Sequence, residues 1–163
     1  MKTLLFIASL LLAHNAWAAP ASAADEEFVF RAERATANLD DKSGHARYEG
    51  NAELIQGKRV LKADIIDFQT ENNQVSRVEA QGSPVSLEDE EQQLFAQART
   101  LIYNVTSQTL FLQGEARLSQ QGRQFEGDEL EYDLAARRIR ASGGTEGGRI
   151  KLVIPATGNT LSP

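Results

Sequence analysis

From residue 28 onward, apolar and polar positions alternate one by one. Leu101, Tyr103 and Val105 take turns with Thr100, Ile102 and Asn104, and Leu130, Tyr132 and Leu134 take turns with Glu129, Glu131 and Asp133. Ile139 sits among Arg137, Arg138 and Arg140. A period of two is the signature of a strand with one dry and one wet face. Apolar spacing of the helical kind is not sustained past residue 25. Turn-forming breaks fall at 41–44, 56–57, 71–73, 89–91, 106–107, 121–122 and 142–144, each rich in Gly, Asn, Asp, Ser or Gln. Short strands at roughly ten-residue spacing, joined by such turns, predict an antiparallel all-β protein.

The alternation carries a longer period. Gly50, Gly82 and Gly114 lie 32 residues apart, and the stretch from Tyr48 to Leu54 aligns with that from Leu112 to Leu118. A second signature follows each glycine: Ala63, Ile66 and Phe68; then Ala98, Leu101 and Tyr103; then Gly127, Leu130 and Tyr132. A small residue, an aliphatic three positions on and an aromatic two further on is one unit written three times. Self-similarity at this period predicts supersecondary units that bury their apolar faces only against neighbours.

Residues 1–18 stand apart. Lys2, the apolar run from Leu4 to Leu12, and Ala16-Trp17-Ala18 have the three regions of a secretory signal peptide. Cleavage is expected after Ala18, with Ala21-Ser22-Ala23 offering a second site. The run is short for a bilayer span. Export is therefore expected, with residues 19–155 forming the domain and 156–163 a flexible tail. The exported chain has no cysteine. No disulfide can staple it and no lipid can be attached to a cysteine at the leader, which points to a soluble periplasmic product held by its sheet and its apolar interior. Losing Lys2 with the leader takes the formal charge from −6 to −7. An acidic body without a basic stripe is a poor nucleic-acid binder, and none is expected as a partner.

The segments Tyr48–Gly57, Leu61–Asp64, Gly82–Pro84, Leu112–Ala116, Gly127–Tyr132 and Arg149–Pro155, in this order and spacing, resemble the lipopolysaccharide-transport protein A family (LptA/OstA). The likeness runs in one register over about residues 28–155. It implies an open antiparallel β-jellyroll (OstA-like) in the periplasm with lipopolysaccharide as cargo. It also implies head-to-tail homo-oligomers between an inner-membrane-anchored LptC-like protein and an outer-membrane LptD-like barrel.

The residues make that role physically sensible. Lipid chains crossing water need a long apolar channel, and alternating strands in a folded sheet line one with every second side chain. The expected lipid-binding face is Phe28, Phe30, Tyr48, Leu54, Ile66, Phe68, Leu87, Leu101, Tyr103, Leu112, Leu118, Leu130, Tyr132 and Leu134, together with Leu110. Each buried methylene contributes about 0.8 kcal/mol, so no catalytic group or cofactor is required. The same face would equally form the filled core of a sandwich.

Polar candidates are few. His45, the one histidine outside the leader, reads as a solvated turn residue, too little for a catalytic relay or a histidine-rich metal site. Glu88–Glu91 reads as a solvated hairpin tip, since consecutive carboxylates in a strand alternate faces and cannot converge on one ion. Asn104-Val105-Thr106 matches a glycosylation sequon, which is uninformative if the source is bacterial, and residues 40–44 lack the ligand spacing of a calcium loop. Arg31, Arg34, Lys58, Arg59 and Lys62 are either ordinary surface charge or contacts for phosphorylated head groups at the open edge of the sheet.

The expected function is thus a non-enzymatic periplasmic bridge that carries lipopolysaccharide from the inner to the outer membrane. The alternative is a repeat-built scaffold of the envelope with no lipid cargo. The terminal strands, near 28–32 and 149–154, are expected to leave unpaired edges that join a partner's sheet. Gly143, Gly144, Gly147 and Gly148 would let the last strand swing into line, with Pro155 ending it.

Overall fold

Strands that are apolar on one face leave a single sheet with an oily side, and the sheet can bury that side only by folding onto itself. The computed structural model describes residues 27–38, 40, 42–144 and 148–155. The expected leader, its cleavage site, Gly147 and the 156–163 tail lie outside them. Among the described residues there is no helix, and hence none long and apolar enough to cross a membrane. The described residues form ten strands: β1 (Phe28–Arg31), β2 (Arg34–Asn38), β3 (Ser43–Gln56), β4 (Arg59–Glu71), β5 (Gln74–Asp89), β6 (Leu94–Asn104), β7 (Thr109–Gln120), β8 (Arg123–Asp133), β9 (Arg138–Ser142) and β10 (Lys151–Val153). They form one antiparallel sheet in the order β1-β3-β4-β5-β6-β7-β8-β10, with β2 also on β3 and β9 also on β8. The sheet is antiparallel and all-β, as the alternation predicts, and its first and last strands do not meet, which makes it the open, jellyroll-like sheet that the resemblance implies.

The turns fall close to the expected breaks. The exceptions are Ser43 and Gly44, which already belong to β3, and two connections where no break was expected, β1–β2 at Ala32 and Glu33 and, further on, β8–β9. That connection contains neither Gly nor Asn. Asp133 Oδ1 accepts the Ala136 N–H at 2.8 Å, and Arg137 takes the left-handed conformation that closes the turn (φ 51°). The six central strands are 11 to 16 residues long, longer than strands bounded every ten residues would be. Each repeat unit is therefore one long hairpin of a continuous sheet.

The repeated glycines sit inside strands and mark a line of bulges. Register slips occur at Glu49/Ala52 on β3, at Lys62/Ile65 against β5, at Gln81/Val85 on β5, at Gln97/Thr100 on β6 and at Gln113/Ala116 on β7. Each slip faces the next across the sheet. At Gly50 and Gly114 φ is 80° and 78°, a region glycine enters without a Cβ penalty. Bulges bend strands and raise their twist, so a line of them is a crease. The second signature has the same origin: Ala63 to Ile66, Ala98 to Leu101 and Gly127 to Leu130 are three-residue steps in a two-residue period, with both ends of each step on the inner face. Pro84 is tolerated in a central strand because it lies within the slip on β5.

The crease divides every long strand into two halves whose apolar faces oppose one another. On one half, Tyr48, Ile66, Ala80, Leu101, Leu112, Leu130 and Ala141 are successive cross-strand partners, as are Ala46, Phe68, Val78, Tyr103, Leu110, Tyr132 and Ile139. On the other half the row is Phe30, Leu54, Leu61, Leu87, Ala96, Leu118, Phe125 and Leu152. Buried alanines 52, 63, 98 and 116 line the crease, where the halves approach most closely and small side chains fit.

Candidate functional site

The space between the two halves is the site the fold builds. All fourteen residues of the expected binding face belong to its apolar cluster. Leu54, Ile66, Leu87, Leu101, Leu112, Leu118, Leu130 and Tyr132 are buried, while Phe28, Phe30, Tyr48, Phe68, Tyr103 and Leu134 pack against them half-buried. Alternation located these side chains because parity is preserved along each half-strand. It did not locate Leu61, Val78, Val85, Leu94 or the crease alanines, whose facing depends on where each register slips.

At the β1 end the interior is closed by aromatic rings. Phe30, from one half, stacks on Tyr48 and Phe68 from the other, with centroids 4.6 Å from each and interplanar angles of 10° and 20°. Deeper in, Phe28, Leu54, Leu61, Leu87 and Leu94 face Val78, Leu101, Tyr103 and Leu110 around a cavity of about 40 Å³. A benzene-sized guest occupies a cavity of roughly 150 Å³. The closed interior is therefore a packed core, and any acyl chain enters only as the halves part.

The lip of the slit between the halves is not wholly apolar. Its cross-strand row is Phe28, Gln56, Arg59, Asp89, Leu94, Gln120 and Arg123. Arg59 donates from Nε and Nη2 to Asp89 Oδ2 at 3.0 and 2.9 Å, and from Nη1 to Gln56 Oε1 at 3.1 Å. Asp89 Oδ1 accepts the Gln92 N–H at 3.1 Å. Asp89 is thus buried, not part of a solvated acidic tip. The inward parity that puts it on the lip also sets it opposite Arg59, and this pairing keeps its charge tolerable. Across the cavity, burial pushes the Tyr103 phenol above its ordinary range, with Arg59 lowering it and Asp89 raising it further.

The other candidate cations are exposed beside carboxylates, Arg31, Arg34 and Lys62 on strands and Lys58 in the β3–β4 turn. Arg31 and Lys62 reach Glu53 at 3.0 and 3.8 Å, Arg34 approaches Glu49 at 3.9 Å, and Lys58 approaches Glu91 at 3.7 Å. His45 is not in a turn. It lies within β3 between Asn38 and Gln69, with Nε2 3.2 Å from Asp67 Oδ1. A residue just after a glycine turn signal belongs to the strand when the strand's pairing reaches that far. No group of three or more His, Asp or Glu side chains that could hold a metal ion occurs among the described residues. One core group lacks a partner: the Tyr132 hydroxyl is buried with no hydrogen bond among the described residues.

Comparison with known proteins places this geometry. Residues 32–138 match the family described as the LptA/(LptD N-terminal domain) LPS transport protein. The lipopolysaccharide export system protein LptH of Pseudomonas aeruginosa is 29% identical over an alignment that covers all of this chain and 95% of that protein. The crystal structure of LptH, described as the LptA-homologous periplasmic component of the conserved lipopolysaccharide transport device of that organism, superposes with a TM-score of 0.70. It covers 83% of this chain and 99% of that one at 26% identity.

Proposed function

Because the chain belongs to the LptA/LptD N-terminal-domain family of lipopolysaccharide transport proteins, we propose that it carries lipopolysaccharide across the periplasm as a bridge. The acyl chains lie between the two sheet halves and the head group lies along the slit. The observation that carries this reading is the inner face itself, an apolar cluster that runs from Phe28 and Phe30 on β1 to Phe125 on β8 and Ile139 and Ala141 on β9. Acyl methylenes that replace side-chain contacts there contribute about 0.8 kcal/mol each. The reading needs no reacting group, so the role is transport and not catalysis.

A periplasmic location is supported by the leader pattern of residues 1–18 and by the description of the LptH structure. The finer part of the reading is assembly. The β1/β2 and β9/β10 edges add to neighbouring sheets, first to other copies of the chain and at the ends to an LptC-like anchor and an LptD-like barrel. Support comes from the two free edges at opposite ends of the strand order.

Photo-crosslinking tests the cargo. A photoreactive residue at Tyr103 or Tyr132 is expected to capture lipopolysaccharide in cells. The neighbouring outer-face positions Ile102 and Glu131 are expected to capture far less, because one residue along a strand reverses the face. Equal capture at both parities overturns the interior as the lipid path. No capture anywhere favours the scaffold.

A further inference from the structure

We propose that Arg59 is an anion site on the lip of the slit, with Asp89 as its built-in competitor, so that a phosphate on a lipid head group displaces the carboxylate when cargo is loaded. The inference rests on the lipid-carrier reading and adds a recognition residue to it.

A buried ion pair seldom stabilises a fold more than apolar side chains of similar size would, because both charges lose their water. At this lip an apolar pair would simply extend the row that already holds Phe28 and Leu94. The fold instead keeps a guanidinium and a carboxylate whose side chains are only 21% and 4% exposed. The four other cations of this region are 62–71% exposed. Arg59 thus places a planar donor fork in the wall of the apolar cavity. Such a fork matches phosphate as well as it matches carboxylate.

The exchange conserves charge at Arg59, one anion leaving as another arrives. Asp89 keeps one hydrogen bond when it leaves, the Gln92 N–H on Oδ1, and the loss of its guanidinium partner is what drives it back. The competition also suits a carrier. An unopposed arginine against an apolar wall would hold a phosphate tightly, whereas a carboxylate ready to return weakens that hold and permits release. Inorganic phosphate offers the same oxygens but no acyl chains for the adjoining rows. The site is therefore assigned to a phosphorylated lipid.

The test titrates the full chain, its Asp89→Asn variant and its Arg59→Gln variant with phosphorylated lipid A, with dephosphorylated lipid A and with inorganic phosphate. Asp89→Asn keeps the Gln92 contact and removes the competitor. It is expected to bind phosphorylated lipid A about tenfold more tightly, the effect of roughly one charge-assisted hydrogen bond, with dephosphorylated lipid A unchanged. Misfolding cannot produce that gain. Arg59→Gln is expected to bind the two lipids alike. The proposal is overturned if Asp89→Asn leaves the preference for phosphate unchanged or lowers it, if Arg59→Gln keeps the full preference, or if inorganic phosphate alone binds as tightly as the lipid. Failure of the carrier reading looks different: the unaltered chain then binds neither lipid, which removes both proposals.

Discussion

The rings of Phe30 and Phe68 lie nearly parallel, 4.6 Å apart, although the two residues are on opposite sides of the crease. Phe30 pairs in register with Leu54 on one half of the sheet, and Phe68 pairs with Ala46 and Val78 on the other. The contact is therefore a clasp between halves. Backbone hydrogen bonds tie each half together and the long strands join the halves at the crease, but away from the crease side-chain packing holds one half against the other. Opening of the interior is controlled by contacts such as this one.

Replacing Phe30 by alanine is expected to lower the unfolding free energy by about 3 kcal/mol, the lower end of the range for such truncations because the ring is half-buried. Val29, one residue away and outward-facing, is expected to tolerate alanine within about 0.5 kcal/mol. Urea denaturation of both variants checks the pair, and similar losses would show that Phe30 does not clasp the halves.

The buried hydroxyl of Tyr132 makes the opposite kind of prediction. A buried donor without a partner costs about 1–3 kcal/mol, and Tyr132→Phe removes it while keeping the ring. The variant is expected to be more stable than the parent by an amount within that range, read from the shift in the denaturation midpoint. A destabilised variant would mean that the hydroxyl is satisfied in solution.

Alternation made the inward set readable because Leu101 and Tyr103, or Leu130 and Tyr132, lie on one half-strand where parity never slips. The glycine period was readable as a repeat, but its meaning was not. Only the cross-strand register shows that Gly50, Gly82 and Gly114 lie on one crease, and that the step from Ala63 to Ile66 is a bulge. Asp89 looked like part of a wet acidic tip because its partner is 30 residues away across the β4–β5 pairing. Local composition carries no trace of such a contact. The β8–β9 turn is hidden for the converse reason: Asp133 Oδ1, by accepting the Ala136 N–H, does the work that Gly or Asn does elsewhere.

The Tyr103 phenol gives the fold an alkaline limit. Burial is the largest cause of its raised pKa, so the neutral form is favoured in the folded chain. A group raised in the folded state contributes stability that is fully present below its unfolded pKa, about 10 for tyrosine, and is lost as pH rises through the folded value. Denaturation midpoints are expected to fall above that pH, and Tyr103→Phe is expected to fall less. Identical alkaline profiles for the two chains would remove Tyr103 from the account.

The last strand carries the prediction about assembly. β10 ends the strand order, paired to β8 through Lys151–Val153, and around it Ile150, Leu152, Val153 and Ile154 are exposed. An edge with unpaired backbone groups and exposed aliphatics is a template for another strand. Gly143 and Gly148 pass close together beside it: a Cβ on Gly143 would collide with the Gly148 carbonyl oxygen, so only glycine fits at position 143. The interior clasp of Phe30, Tyr48 and Phe68 lies at the other end of the sheet. Deleting residues 149–163 is therefore expected to abolish concentration-dependent association in light scattering while leaving the strand circular-dichroism signal and cooperative unfolding in place. If the truncated and full-length chains associate alike, the joint between copies lies elsewhere than the β10 edge.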